Sequence, residues 1–376
     1  MVSTRPVDWT NAQWKGSVMQ WRFSEEQHAY REALRGWLGD VAGSDRVRGW
    51  LGVDGEATDP GPFERRLVED GMGGVGVPEE LGGQGGGLVE LAIAAEELAR
   101  VAAPSSAWLA TALAAPALES RPDLAKAAVE GGHAALAVAA ESLPDRPPAV
   151  AVEGGRISGT VPRVLGADRA GLLVVPAGGA DGLRLYAVDP RSPGVSIAPR
   201  RLLDRSRSVA DVGLDGVTGE VLDADAAAVL ARLADVAGVL VAADALGAME
   251  RMLELAVEYS GQRHQFGVPI GSFQAVKHAA ATILVDVEAG RSGVYYAAAS
   301  VAGGDPQRAL HAAAVKAQVT TAAGRAADSA LTMHGAIGYT WEHDLHLLFK
   351  RARLDEQLFG SAGAWNERIA DGLALV

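Results

Sequence analysis

The segment from 263 to 274 combines a cation, an aromatic ring and two amides around a turn-forming Gly-Val-Pro sequence. The four side chains are Arg263, Gln265, Phe266 and Gln274. A guanidinium group presents several fixed donors that suit a pyrophosphate, and an aromatic plane suits adenine. Alternatively, Arg263 could have no role beyond the end of a helix, where a cation interacts favourably with the negative end of the helix dipole. A nucleotide-binding role and a helix-ending role are both compatible with these residues.

A glycine motif lies earlier in the chain, where residues 71–76 match the dinucleotide-binding pattern G-x-G-x-x-G. That pattern binds a pyrophosphate only where it follows a strand and opens a helix. The preceding segment 63–69 has a helical pattern. We therefore interpret the glycines as a loop that ends a helix.

His343 and His346 lie three residues apart, a spacing that could place two imidazoles on one helical face as metal ligands. The motif is not H-E-x-x-H and no distant third ligand is identifiable, so we expect a structural role and no metal site. The sequence also has no G-x-S-x-G motif, and hydrolase chemistry therefore has no support.

Composition limits the remaining functions. A net charge of −13 argues against a nucleic-acid groove or an anionic membrane surface, because both need clustered Lys and Arg. The absence of cysteine excludes disulfides and thiol chemistry. The N-terminus lacks the apolar segment of a secretory signal, and Asp244 and Glu250 interrupt the apolar stretch 237–252. We expect a cytoplasmic protein without a membrane span.

The elements that would position these residues form three regions in a mostly α chain with a small β-domain. Apolar residues make up 48% of the sequence and aromatic residues 5%, which favours helices packed through small side chains. Ser24 and Gln27 have the spacing of a capping box at the first helix. The predicted domains are a helical domain at 1–132, a β-sandwich or barrel at 133–223 and a four-helix bundle at 224–376.

Within these domains, period-two runs predict strands and three-to-four-residue steps predict helices. The predicted strands include 149–152, 171–175, 183–188 and 194–197. The predicted bundle helices are about 225–260, 272–302, 306–334 and 341–370.

This domain order, together with the segment from Arg263 to Gln274, resembles the acyl-CoA dehydrogenase family. It is most similar to short actinobacterial members that form one subunit of a heteromeric enzyme. In the family, the corresponding arginine and glutamine reach across a subunit interface to the pyrophosphate and adenosine half of FAD, and the phenylalanine packs nearby. The segment 333–346 also resembles a stretch that receives the neighbouring subunit's FAD.

The second segment departs from the family at two positions, because Thr332 stands where glutamine is usual and Ala336 where a second glycine is usual. Glycine in this segment would allow close approach of the backbone to the cofactor. The resemblance implies that the FAD contacts are Arg263, Gln265, Phe266, Gln274, Thr332, Gly335 and Ala336.

The catalytic base of the family is missing. Its reaction removes a proton beside the thioester, which requires a carboxylate within hydrogen-bond reach. The resemblance places that base nine residues after Arg351, at Gly360, or on the first bundle helix near Ala237. Neither position has a carboxylate. The nearest acids, Asp235 and Asp244, are weak candidates, and the catalytic residue stays unassigned.

The segment 137–145 also lacks the glycine, threonine and serine pattern that holds the flavin ring in the family. The resemblance therefore implies a subunit of an FAD-dependent acyl-CoA dehydrogenase that desaturates an acyl-CoA thioester. This subunit would lack the base and contribute to a partner's FAD site in a heterotetramer. Two alternatives are a complete homo-oligomeric enzyme with Asp235 or Asp244 as base, and a flavin-free scaffold on the same fold.

Overall fold

A computed structural model describes residues 22–147, 149–222 and 225–373. Helices occupy the chain up to Gly132, strands lie between Ala134 and Leu222, and helices dominate from Ala226 onward. The mostly α fold with a small β-domain is confirmed, whereas the domain boundaries stay predictions. The N-terminal segment 1–21, on which the expectation of no secretory signal rests, lies outside the described residues.

Six α-helices lie in the described part of the N-terminal region, from residue 22 to Gly132. The capping box is present as predicted, because Ser24 Oγ accepts from Gln27 N at 3.2 Å and Gln27 Oε1 accepts from Ser24 N at 3.0 Å. The glycine motif at 71–76 follows a helix, so its interpretation as a helix-ending loop is confirmed. The helices are α1 (Glu25–Val41), α2 (Ser44–Trp50), α3 (Gly61–Glu69), α4 (Leu88–Arg100), α5 (Ser106–Ala114) and α6 (Pro122–Ala127).

The middle region is one eight-stranded sheet, where the sequence predicted a sandwich or a barrel. Its order is β6-β7-β3-β2-β4-β5-β8, and β1 pairs with β4. The buried side chains of β3, β4 and β7, among them Val161, Val175 and Val212, form one apolar core. The strands are β1 (Ala134–Leu136), β2 (Ala151–Glu153), β3 (Arg156–Leu165), β4 (Leu172–Gly179), β5 (Gly182–Val188), β6 (Val195–Arg200), β7 (Val209–Val217) and β8 (Glu220–Leu222).

The C-terminal region has three long helices followed by two short ones. The single helix predicted at 341–370 is wrong, because Phe359 and Gly360 adopt φ values of 55° and 105° and interrupt it. A small hairpin of β9 (His264–Gln265) and β10 (Val268–Pro269) joins the first two helices. The helices are α7 (Ala226–Gln262), α8 (Gln274–Ala302), α9 (Arg308–His334), α10 (Leu345–Asp355) and α11 (Ala362–Gly372).

Helix α7 is the central element of the bundle. It is long and apolar enough to cross a membrane, but 72% of its most apolar stretch is buried inside the protein. It contacts α4 so closely at Gly247 that a Cβ there would lie 2.0 Å from the Glu96 carbonyl oxygen. Arg31 and Arg291 bind the buried Glu96 carboxylate at 2.8 and 2.6 Å, which ties the N-terminal helices to the bundle.

Candidate functional site

The β9–β10 hairpin presents an aromatic ring to solvent. Gln265 pairs with Val268, so the connecting loop consists of Phe266 and Gly267, with φ values of 55° and 80°. Two positive φ values define a turn that favours Asn-Gly, and a bulky residue at the first position is strained. Phe266 is nevertheless 93% exposed. A strained turn that displays an apolar side chain is typical of a contact surface rather than of a folding element.

The polar candidates of the first segment surround this turn. Arg263 caps the end of α7, where its N–H donates to the Tyr259 carbonyl at 2.9 Å. Its side chain forms no ion pair with any described residue. Gln274 is exposed at the start of α8, whereas Gln265 Nε2 donates to the His264 carbonyl at 2.9 Å. Arg263 and Gln274 are therefore the polar groups that remain available to a ligand.

The structure brings the second predicted segment next to the first. Tyr259, one helical turn before Arg263, stacks on the His334 ring with centroids 4.7 Å apart. Gly335 follows with a φ of 64°, and no atom lies within 4 Å of a Cβ built there. Thr332 is exposed, but its hydroxyl donates to the Asp328 carbonyl at 2.9 Å. The exposed backbone at Gly335 and Ala336 is thus the most accessible part of this segment.

The residues around Gly360 close the cleft between the sheet and the bundle. Phe359 N–H donates to the Ala140 carbonyl at 2.5 Å, and the Phe359 side chain is buried. A Cβ at position 360 would lie 3.2 Å from Trp365 Nε1 and 3.3 Å from Leu143 Cδ2. Position 360 therefore carries no carboxylate, and a side chain there would have to displace Trp365 or Leu143 slightly.

The segment 137–145, where the family holds its flavin ring, takes part in this closure. The Ala140 carbonyl accepts from Phe359 N–H, and Leu143 Cδ2 lies 3.3 Å from where a Cβ at position 360 would be. A cavity of about 160 Å³ remains beside them, and the Glu141–Arg163 ion pair forms part of its wall. An isoalloxazine ring does not fit between these residues. It would fit only if the loop at Phe359 and Gly360 moved away from the segment 137–145.

A buried lysine that the sequence did not single out supports the same loop. Lys316 is fully buried in α9, and its Nζ donates to the carbonyls of Asp355 at 2.8 Å and Gly360 at 3.1 Å. Burial lowers the pKa of Lys316 to about 8. Its position in an apolar run of alanine and valine is the only sequence signal of this role.

Asp244, one of the two candidate bases, lies in a closed ion cluster. Its carboxylate accepts from Arg351 Nε at 2.7 Å and Nη2 at 2.6 Å, and from Arg207. Burial acts to raise the pKa of Asp244, but the two guanidinium groups outweigh it and hold the pKa below its usual range. A buried carboxylate with two arginine partners favours a structural role over a role as a base.

Asp235, the second candidate, is also buried and paired. Its Oδ1 accepts from Arg368 Nη2 at 3.0 Å, and its Oδ2 lies 3.5 Å from Arg308 Nε. Burial raises the pKa of Asp235, and Arg368 partly offsets that rise. Both carboxylate oxygens of Asp235 therefore have an arginine partner, although its raised pKa makes it the less unsuitable of the two acids.

The histidines near the end of the chain have structural partners. His343 Nδ1 accepts from the N–H of Leu345, the first residue of α10, at 3.1 Å. His346 is buried against the Trp341 ring, with centroids 4.8 Å apart, and burial lowers its pKa to about 4. Across the described ranges, no group of three potential ligands could hold a metal ion.

Comparison with known proteins places these features in a family. Residues 24–121 match the family model for the acyl-CoA dehydrogenase N-terminal domain, and residues 228–374 match the model for the C-terminal domain. Acyl-CoA dehydrogenase FadE34 of Mycobacterium tuberculosis is 34% identical over 92% of this chain, which spans only 48% of FadE34. Acyl-CoA dehydrogenase IpdE2 of the same organism is 33% identical over 90% of this chain and 94% of IpdE2.

Solved structures agree with these relatives. The Tcur3481-Tcur3483 steroid ACAD superposes with a TM-score of 0.83 at 28% identity, over 93% of this chain and 98% of that one. The ChsE4-ChsE5 complex from Mycobacterium tuberculosis gives a TM-score of 0.83 at 26% identity, over 94% and 99%. With both family models matched and IpdE2 covered almost completely, this chain belongs to the acyl-CoA dehydrogenase family, whose members are FAD-dependent oxidoreductases.

Proposed function

We propose that this chain is the subunit of a heteromeric acyl-CoA dehydrogenase that lacks the catalytic base and completes the FAD site of a partner subunit. The observation that carries the proposal is the closure of its own cleft. Gly360 stands where a carboxylate is needed, and the Ala140 carbonyl is bound by Phe359 N–H. The partner would supply both the base and the pocket for the flavin ring.

The other half of a dinucleotide site is open in this chain. Arg263 has no ion pair with a described residue, Phe266 is exposed, and no atom lies within 4 Å of a Cβ position at Gly335. These groups fit the pyrophosphate and adenosine of FAD, because a guanidinium binds phosphates in a fixed geometry and an aromatic ring stacks on a purine. FAD bound there would supply the hydride acceptor of the reaction.

Exposure of the binding groups also supports a shared site. A cofactor held entirely within one subunit needs a concave pocket that buries most of its surface. Phe266 and Gln274 are instead exposed, on the hairpin and at the start of the adjoining helix. A partner surface is therefore required to cover a ligand bound at these residues.

The relatives support a partner of the same family. Two of the similar structures are named as pairs, Tcur3481-Tcur3483 and ChsE4-ChsE5, and FadE34 is about twice as long as this chain. We infer a second acyl-CoA dehydrogenase subunit, in a heterotetramer, as the partner. The name of the Tcur3481-Tcur3483 enzyme makes a steroid acyl-CoA the first substrate to test.

The test is purification of this chain alone and after co-expression with a second acyl-CoA dehydrogenase subunit encoded beside it. Flavin absorbance and native mass spectrometry measure cofactor content and subunit composition. We expect a colourless chain alone and a yellow heteromer with the partner. Stoichiometric FAD on a homo-oligomer of this chain would contradict the proposal and favour a complete enzyme. A complex without FAD under either condition would favour a scaffold.

Substitution in this chain then tests the shared site directly. Arg263→Gln should weaken FAD retention by the heteromer at least tenfold, because a charged hydrogen bond to phosphate contributes about 1.5–3 kcal/mol. Arg191→Gln is the matched control, since Arg191 is 84% exposed in a turn and pairs only with Asp189. Equal FAD retention in the two variants would show that Arg263 does not reach the cofactor.

A further inference from the structure

A surface cavity of about 470 Å³ lies between the loop that follows α2 and the loop that follows β6. Its walls are formed by residues within 50–57 and 200–208. Four of the lining residues are arginines: Arg200, Arg201, Arg205 and Arg207. In a chain with a net charge of −13, such a cluster is a local reversal of the overall charge. Clustered guanidinium groups attract anions.

Arg205 is held in a fixed orientation. Its Nη1 donates to the carbonyl oxygens of Leu51 at 3.1 Å and Gly52 at 2.8 Å. Its guanidinium carbon lies 5.8 Å from the centroid of the Trp341 ring. Among the described residues, none accepts a hydrogen bond from Arg205 Nε or Nη2. These two donors are therefore preorganised for an anion without a loss of side-chain entropy on binding.

Arg201 supplies the second uncompensated charge. Its side chain is exposed, and it forms neither a hydrogen bond nor an ion pair within the described part of the chain. By contrast, Arg200 is neutralised by Asp211 at 2.6 Å, and Arg207 is buried against Asp244. Arg201 and Arg205 are thus the two cations left for a ligand.

One carboxylate and one aromatic ring complete the cavity. Glu56 is exposed on the opposite wall and has no ion pair with a described residue. Trp50 packs against Phe63 with ring centroids 5.0 Å apart and remains half-buried where it borders the cavity. A planar base could stack on an indole in such a position, where stacking contributes about 1–3 kcal/mol.

We propose that this cavity binds a nucleotide through its phosphate groups, with Arg201 and Arg205 as the phosphate ligands and Trp50 against the base. The cavity is lined neither by Arg263, at the end of α7, nor by Phe266, on the β9–β10 hairpin, so it does not use these two FAD contacts. Its Arg205 nevertheless lies beside Trp341, which belongs to the segment 333–346. A fixed guanidinium at Arg205 and an unpaired one at Arg201 suit a diphosphate, because each can donate two parallel hydrogen bonds to phosphate oxygens.

The experiment is calorimetric titration of the full chain with ADP, pyrophosphate and adenosine. We expect saturable binding of ADP, weaker binding of pyrophosphate and none of adenosine. Arg201→Gln should weaken ADP binding at least tenfold, and it should spare the fold because the exposed Arg201 side chain has no hydrogen bond or ion pair with a described residue. Arg191→Gln should leave ADP binding unchanged, since Arg191 lies in a turn paired with Asp189.

Two further variants distinguish the outcomes. Glu56→Gln should tighten ADP binding severalfold, because it removes the only carboxylate among the described lining residues. Arg263→Gln should leave ADP affinity unchanged. A loss of ADP affinity in this variant would place ADP at the segment 263–274 and overturn the proposal. Equal affinity for pyrophosphate and ADP would overturn the assignment of a nucleotide. Absence of saturable binding at millimolar ADP, or an unchanged affinity in Arg201→Gln, would refute the site itself.

Discussion

Restoration of a carboxylate at position 360 is the most direct test of the closed cleft. If Gly360 were only a lost base in an otherwise intact site, Gly360→Glu would restore activity to this chain. The structure predicts the opposite outcome. The φ of 105° at Gly360 lies in a region that L-residues rarely adopt, and a Cβ there would press on Trp365 and Leu143. Any side chain should therefore destabilise the loop.

The size of the effect follows from two contributions. The positive φ alone costs a non-glycine residue about 1–2 kcal/mol. Contacts of 3.2 and 3.3 Å with Trp365 and Leu143 add an overpacking cost of about 1–3 kcal/mol. We therefore expect Gly360→Ala to lower the free energy of unfolding by about 2–5 kcal/mol. Gly131→Ala is the matched control, because Gly131 has a φ of 112° but nothing lies within 4 Å of its Cβ position.

The assay is urea denaturation of both alanine variants, together with dehydrogenase activity of Gly360→Glu in the isolated chain. For Gly131→Ala, the free energy of unfolding should fall by only about 1–2 kcal/mol, which is the cost of the positive φ alone. Equal losses for the two alanine variants would show that Trp365 and Leu143 move aside at no cost. Acyl-CoA oxidation by isolated Gly360→Glu would refute the reasoning completely, because it would require an open flavin pocket in this chain.

Three other perturbations test separate parts of the structure. Phe266→Asn should raise the free energy of unfolding by about 1 kcal/mol in thermal denaturation, since Asn tolerates the positive φ. The same substitution should lower FAD retention by the proposed heteromer, because it removes the aromatic ring. Unchanged retention would exclude a cofactor contact. Asp244→Asn should lower the free energy of unfolding by about 3–5 kcal/mol in urea denaturation, because it leaves Arg207 and Arg351 buried without a full counter-charge. The control is Asp189→Asn, at an exposed aspartate. Equal losses of stability in the two variants would contradict this prediction. Burial lowers the pKa of Lys316 from its ordinary 10.5 to about 8, so the unfolded state binds more protons between these pH values. The stability of the wild-type chain relative to Lys316→Met should therefore rise by on the order of 3 kcal/mol from pH 8 to 10.5, and parallel pH profiles of unfolding would refute it.

Much of the architecture was predictable because it depends on local patterns. The three long bundle helices follow from apolar residues at three-to-four-residue steps, and the capping box at Ser24 follows from two residue types at a fixed spacing. The exposure of Arg263 and Phe266 is consistent with the expectation that they serve another subunit. The roles of these residues in FAD binding stay predictions.

The closed cleft could not be predicted, because it depends on contacts between distant parts of the chain. The hydrogen bond from Phe359 to Ala140 joins residues that lie far apart in sequence. The break between α10 and α11 depends on backbone angles at Phe359 and Gly360, and a single glycine in a helical pattern does not define them. In the same way, the partners of Asp244 come from α10 and from the loop before β7, and their approach to α7 is not defined by any local pattern.

The aromatic surface at the end of the bundle has a consequence for the life of the chain before assembly. Phe266, Tyr339 and Trp341 are 93%, 70% and 51% exposed. Exposed apolar groups promote self-association and capture by chaperones and proteases when no partner covers them. If the proposed heteromer forms, a cell that makes this chain in excess of the partner subunit should therefore lose the surplus to aggregation or degradation. Balanced synthesis of the two subunits would then set the yield of enzyme.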